Sequence, residues 1–238
     1  AGLVAMAAPG AAIMPLRVLD SDGAGNAWVL AEAMLHAVDP DRNPATNDGA
    51  QVINMSLGST NRTHLFNAVT QLVACAIPAP TDPANTFTDP SYHLDRQRCD
   101  AFGGAAVIAA AGNDGSKDIR QYPAAEGAYG LLPVTASTEQ RRLATFANFG
   151  SWVDLAAPGE GITSTMAGGG YATWSGTSMA APLVAGAAAL LKAREPGLSA
   201  KDVVRRLARI SAPLCGTGTQ RQIDAEAALR NVMPAEVP

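Results

Sequence analysis

An α/β fold in three layers, a mostly parallel sheet with helices on both faces, is what this sequence predicts. Three observations lead there. Short apolar runs alternate with helical patterns along the chain, as expected of strands buried on both sides. Hydrophobic residues make up 47% of the 238 positions and charged residues only 16%, enough for one large core. Aromatics account for 5% while alanine and glycine are abundant, so small side chains must let helices and strands approach closely.

The elements follow in order. Residues 12–19 read as a strand, 20–25 (DSDGAG) as a turn and 27–38 as an amphipathic helix, which together make a βα unit. The pattern repeats with a strand at 51–56 and a helix near 63–76. Further strands are expected at 105–111, 131–136 and 152–156, followed by a hairpin-like stretch up to Trp174. Two helices should close the chain, from 178 to about 194 and from 200 to 210. One domain over 1–238 is expected, with an insertion at 76–98 and a tail from about 211 to 238. The insertion holds four prolines between Cys75 and Cys99. Those cysteines are either a disulfide stapling it, the favoured reading, or two separate buried thiols; Cys215 is left over.

Charge narrows the partners. The net charge of −4, from 21 acidic and 17 basic residues with no block of one sign, disfavours nucleic acid and anionic membrane. No charge falls between Glu160 and Lys192, but glycines, serines and Pro182 interrupt that stretch. The apolar block at 179–191 is too short to cross a bilayer. No signal-peptide pattern opens the chain. A monomer is expected.

The chemistry concentrates in three motifs at the carboxyl ends of expected strands or at a helix start, where parallel sheets place their sites. The first is SGTSMAAPLVAG at 175–186. Ser178 stands where a wholly apolar, hence buried, helix begins, and free N–H groups there favour developing negative charge. Alone, such a serine reads as a helix cap. The second is AAAGNDG at 109–115, in which Asn113 offers a side-chain amide, although Asn-Asp-Gly alone reads as a turn. The third is INMSLGS at 53–59, otherwise an ordinary strand end.

Together, and in their order along the chain, the motifs resemble those of the subtilisin-like serine proteases, and the resemblance covers nearly the whole chain. GTSMAAP resembles the nucleophile motif, AAAGNDG the oxyanion-hole segment and INMSLGS the substrate-binding strand. The resemblance implies a peptide or protein substrate and an acyl-enzyme on Ser178. Asn113 and the Ser178 N–H would serve as oxyanion donors. Ser56, Leu57 and Gly58 would face Ala110, Ala111 and Gly112 across the primary specificity pocket. Leu183 departs from the family, which often has His there.

A serine nucleophile needs a base and an orienting carboxylate. In the family both precede the serine, the His within an HGT motif, and none of His36, His64 and His93 has those flanks. Asp20, in LDSDG, fits better the turn after the His-bearing helix, and the opening AGLVAMAAPGA resembles the continuation of that helix. The expectation is a domain lacking its N-terminal strands, with the catalytic Asp and His upstream, and nearly inactive alone. The alternative is a non-catalytic peptide-binding pseudoprotease. An α/β-hydrolase is disfavoured because GTSMA is not GxSxG, and a dinucleotide site because no GxGxxG follows the first strand. No cofactor is expected; calcium is permitted by the resemblance, but no carboxylates stand at ligand spacing. Secretion is implied by the family and the expected disulfide.

Overall fold

Where the sequence offers small and β-branched residues in unbroken runs, the chain forms strands that can be covered on both faces. The structure, a computed structural model, describes residues 1–43, 46, 48–75, 99, 103–215 and 220–234. β1 (Val52–Met55), β2 (Ala106–Ala110), β3 (Leu131–Ser137) and β4 (Leu155–Pro158) run parallel in that order. Met55 pairs with Ala109, Ala110 with Val134 and Ser137 with Pro158. β5 (Ile162–Thr165) and β6 (Tyr171–Trp174) form the antiparallel hairpin expected before the second half. β7 (Ser211–Pro213) and β8 (Arg221–Ile223) extend the main sheet, with β8 parallel to β4 and β7 antiparallel to β8.

Helices cover both faces. α1 (Gly2–Ala7), α4 (Thr177–Arg194), α5 (Ala200–Arg209) and α6 (Ala225–Arg230) are joined by α2 (Ala27–Val38) and α3 (His64–Val73). Period-two alternation divides the strands: Ile108, Leu132, Val134 and Leu155 pack on one face with Val184, Leu191, Val203 and Leu207. Val107, Ala109 and Leu131 turn to the other, against Leu30, Met34, Phe66 and Val69. Asn26, Thr63, Ser199 and Asp224 cap α2, α3, α5 and α6 with side-chain oxygens, which sets where each helix starts. α1 and α4 touch closely at Gly186, where a Cβ would collide with Ala7.

Four expectations change or gain detail. Residues 12–19 are not a strand: among the described residues they join no ladder, and Ile13, Met14 and Leu16 are exposed. An apolar run becomes a strand only when a ladder partner satisfies its backbone. The strand expected at 152–156 begins three residues later, at Leu155, after the turn in which Val153 N–H bonds Gly150 O. The stretch expected as a tail supplies β7, β8 and α6. Cys75 and Cys99 are joined as a disulfide, whereas Cys215 is free and exposed. The insertion at 76–98, with His93, lies outside the described residues. Among the described residues no helix is long and apolar enough to cross a membrane.

Candidate active site

Three chain segments meet at the carboxyl edge of the sheet: the residues leaving β1, the loop leaving β2, and the first turn of α4. Because β1 and β2 are parallel neighbours with Met55 opposite Ala109, their continuations, Ser56 to Gly58 and Ala110 to Gly112, start side by side. The loop after β2 can turn sharply because Gly112 has φ +100°, a conformation that side-chain-bearing residues rarely adopt.

α4 starts without a side-chain cap of its own. Its N-cap is Gly176, so Ser178 is the second helical residue rather than the capping serine. The capping is done across the site. Asn113 Oδ1 accepts from Thr177 N–H at 2.8 Å and from Thr177 Oγ1 at 3.1 Å. Thr177 Oγ1 in turn accepts from Gly112 N–H at 3.1 Å. These contacts engage the oxygen end of the Asn113 amide, and its NH₂ has no hydrogen-bond partner among the described residues. A Cβ on Gly176 would lie 3.5 Å from Asn113 Nδ2, so the donor and the helix start are in van der Waals range.

A close backbone approach is demanded at Gly159. Gly176 N–H bonds Gly159 O at 2.8 Å, and a Cβ on Gly159 would come within 2.6 Å of Ala136 Cβ and 2.8 Å of Gly176 O.

Pro182 is the sixth residue of α4 and so lies beyond its first turn. Its missing N–H leaves the carbonyl four residues back, that of Ser178, without its helical donor. Ser56 Oγ fills the vacancy, donating to Ser178 O at 3.0 Å, while Ser178 Oγ donates back to Ser56 O at 3.3 Å. The reciprocal pair ties the end of β1 to the nucleophile candidate across 122 residues of sequence.

Between the two segments stands a residue that the sequence reading did not single out. Gly58 faces the Gln121 side chain and Tyr122 O, each 3.3 Å from where its Cβ would be, and a Cβ on Gly112 would collide with Gln121 Cγ. Gln121 Nε2 donates to Asp114 Oδ2 at 3.2 Å. Nothing in the string QYP marks this role; only the return of the chain past both glycines creates it.

His36 and His64 are placed elsewhere in the fold. His36 lies in the last turn of α2 and His64 is the first residue of α3. Asp20 caps its own turn, Oδ1 accepting from the N–H groups of Asp22 and Ala24 at 2.9 Å each. Among the described residues no three His, Cys, Asp or Glu side chains gather as metal ligands.

A family model described as the subtilase family matches residues 2–229. A thermophilic serine proteinase of Bacillus sp. (strain AK1) is 35% identical over 217 residues, covering 91% of this chain and 44% of that protein. Thermitase of Thermoactinomyces vulgaris is 35% identical over 218 residues, covering 91% of this chain and 63% of the relative. The chain thus spans less than two thirds of either. The crystal structure of a cold adapted subtilisin-like serine proteinase matches with a TM-score of 0.66 at 26% identity, over 92% of this chain and 66% of that one.

Proposed function

Since this chain belongs to the subtilase family, we propose that it forms the nucleophile-bearing part of a serine endopeptidase that hydrolyses peptide bonds through an acyl-enzyme on Ser178. The observation that carries the reading is the 2.8 Å bond from Thr177 N–H to Asn113 Oδ1, because it holds the Asn113 amide at the start of the helix that carries Ser178 and commits its oxygen there, leaving the NH₂ as the end able to donate. A carbonyl attacked by Ser178 Oγ develops negative charge on its oxygen. Asn113 Nδ2 and the Ser178 N–H, at the positive end of the 18-residue α4, are the donors assigned to it. Because both are fixed before the reaction, they favour the tetrahedral state over the flat ground-state carbonyl.

Ser178 Oγ must lose a proton as it attacks. Its present acceptor, the Ser56 carbonyl, is far too weak a base to take it, so the hydrogen bond only orients the hydroxyl. The proposal gives the proton to a histidine, oriented by an aspartate, from outside residues 1–238. An extended peptide is assigned to Ser56, Leu57 and Gly58 on one side and Ala110, Ala111 and Gly112 on the other, binding by main-chain hydrogen bonds as strands do. The chain is assigned to a secreted monomer, with the Cys75–Cys99 disulfide as the support for an oxidising compartment.

The test is covalent labelling of the full-length protein with a fluorophosphonate, followed by peptide mapping. The label should sit on Ser178, and Ser178→Ala should abolish labelling and lower turnover about 10⁶-fold, the loss subtilisin itself shows. Label on another serine, or normal cleavage by Ser178→Ala, overturns the assignment.

A further inference from the structure

The loop from 111 to 121 that carries Asn113 has no regular secondary structure beyond an isolated pairing at its end, yet one side chain fastens it from behind. Asn148 is 0% exposed and lies in the turn between β3 and β4. Its Oδ1 accepts from the N–H groups of Asp114 at 2.9 Å and Ser116 at 3.3 Å. Its Nδ2 shares two N–H groups among three acceptors, Ala111 O at 3.1 Å, Ile119 O at 3.2 Å and Asp114 Oδ2 at 3.0 Å. The backbone adds to this: Asn148 N–H donates to Gly112 O at 3.0 Å, and Asn148 O accepts from Thr135 Oγ1 at 2.6 Å.

Residues 111, 114, 116 and 119 are therefore all bound to one buried amide and residue 112 to the backbone of the same asparagine, and Asn113 sits in the middle of them with its own side chain directed to α4. The clamp needs an acceptor and a donor on the same short side chain, which only Asn supplies at this length. It also needs Gly112, since a Cβ there would press within 2.6 Å of Asn148 Nδ2. Thr135, on buried β3, holds the clamp itself, so the position of the Asn113 loop is referred to the rigid sheet rather than to its neighbours in sequence.

We propose that Asn148 is the positioning residue of the oxyanion site: it touches no substrate, and holds the Asn113 loop at the height where Nδ2 meets the developing charge. The inference rests on the role given to Asn113 above. A preorganised donor stabilises the transition state because nothing has to move when charge appears, and a displacement of about 1 Å is enough to cost on the order of 10²-fold in rate. Replacing the amide by a carboxylate turns the donor end into an anion facing two carbonyls and the Asp114 carboxylate, which should push the loop outward.

The experiment is a double-mutant cycle on the full-length protein, with a chromogenic peptide amide as substrate and thermal unfolding as a check on folding. Asn148→Asp should lower kcat about 10²-fold with KM changed less than about threefold, the mark of an interaction lost only in the transition state. In an Asn113→Ala background the same change should lower kcat less than about threefold, because a donor already removed cannot be misplaced. Thr135→Val deletes the 2.6 Å bond with little change of shape, and should give a loss of about three- to tenfold that again vanishes without Asn113. If Asn148→Asp does not fold, Thr135→Val in the two backgrounds decides. Equal losses with and without Asn113, or an unchanged kcat in folded Asn148→Asp, overturn the proposal while leaving the parent reading intact. A normal kcat for Asn113→Ala alone overturns the parent reading and this proposal with it.

Discussion

The loop after β2 and the segment at 11–19 are both irregular stretches beside the same sheet, yet they are held very differently. Around Asn113 the backbone N–H groups of Ala111, Gly112, Asp114, Gly115 and Ser116 all have partners, supplied by Asn148 behind, Thr177 in front, Val134 O, and Phe146 O, which accepts from Gly115 N–H at 2.7 Å. Along 11–19 the apolar residues Ile13, Met14 and Leu16 are 42%, 38% and 37% exposed, and a cavity of about 310 Å³ opens between Leu16, Arg17 and α2. Apolar content does not separate the two, since the second is the richer in large hydrophobic side chains. What separates them is whether the rest of the fold supplies partners for the backbone. Where it does, an irregular loop becomes a fixed site; where it does not, a sequence that reads as a strand stays unpaired.

The sharpest way to break this comparison is to remove the same side chain from each side of it. Ile108→Ala on β2, buried between α4 and α5, should destabilise by about 2–5 kcal/mol, because a cavity is left in a packed core. Ile13→Ala, at an exposed position, should stay within about 0.5 kcal/mol. Paired urea melts check both, and equal losses would mean that 11–19 is packed after all.

A somewhat smaller effect tests what anchors the start of β2. Cys99 O accepts from Gly103 N–H at 2.8 Å, just before the strand, and its sulfur is tied to Cys75 at the end of α3. Cys75→Ser with Cys99→Ser should lower stability by about 3 kcal/mol, as expected for a cross-link closing a loop of this length. The thermal midpoint with and without reductant reads it.

The smallest expected effect lies at Lys192 near the end of α4, which is 1% exposed and donates to Leu198 O at 2.7 Å. Burial pushes its ammonium below the ordinary 10.5. Between the lowered folded value and the ordinary unfolded one, the unfolded chain binds more protons, so stability should rise with pH through that window. Urea midpoints across the alkaline range below about pH 10 should show the rise, and Lys192→Met should lose it.

Much of the fold was legible because its signals are local. The apolar runs that became β2 and β3 and the 3.6-residue pattern of α2 place these elements within a residue or two, and Asn26, Thr63 and Ser199 mark helix starts by their own side chains. The stretch at 12–19 misled for the same reason, since its pattern is a strand's and the missing ingredient is a partner elsewhere. Ser178, Asn113 and the two substrate segments could be named because each sits in a contiguous motif.

Gln121, Asn148 and the exchange between Ser56 and Ser178 could not be named. The strings QYP and FANFG carry no chemistry, and SLG shows no link to Ser178, until chain folding brings the segments together. The sequence by itself determined which residues prefer to be strand, helix or turn, and which short motifs offer a hydroxyl beside an amide. Only the tertiary structure decided what supports them: that Pro182 frees a carbonyl for Ser56, that Asn113 caps α4 from 64 residues away, and that one buried amide holds the loop. The physical reason is range. Propensity and capping act within a few residues, whereas satisfying a buried polar group depends on whatever the completed fold sets beside it.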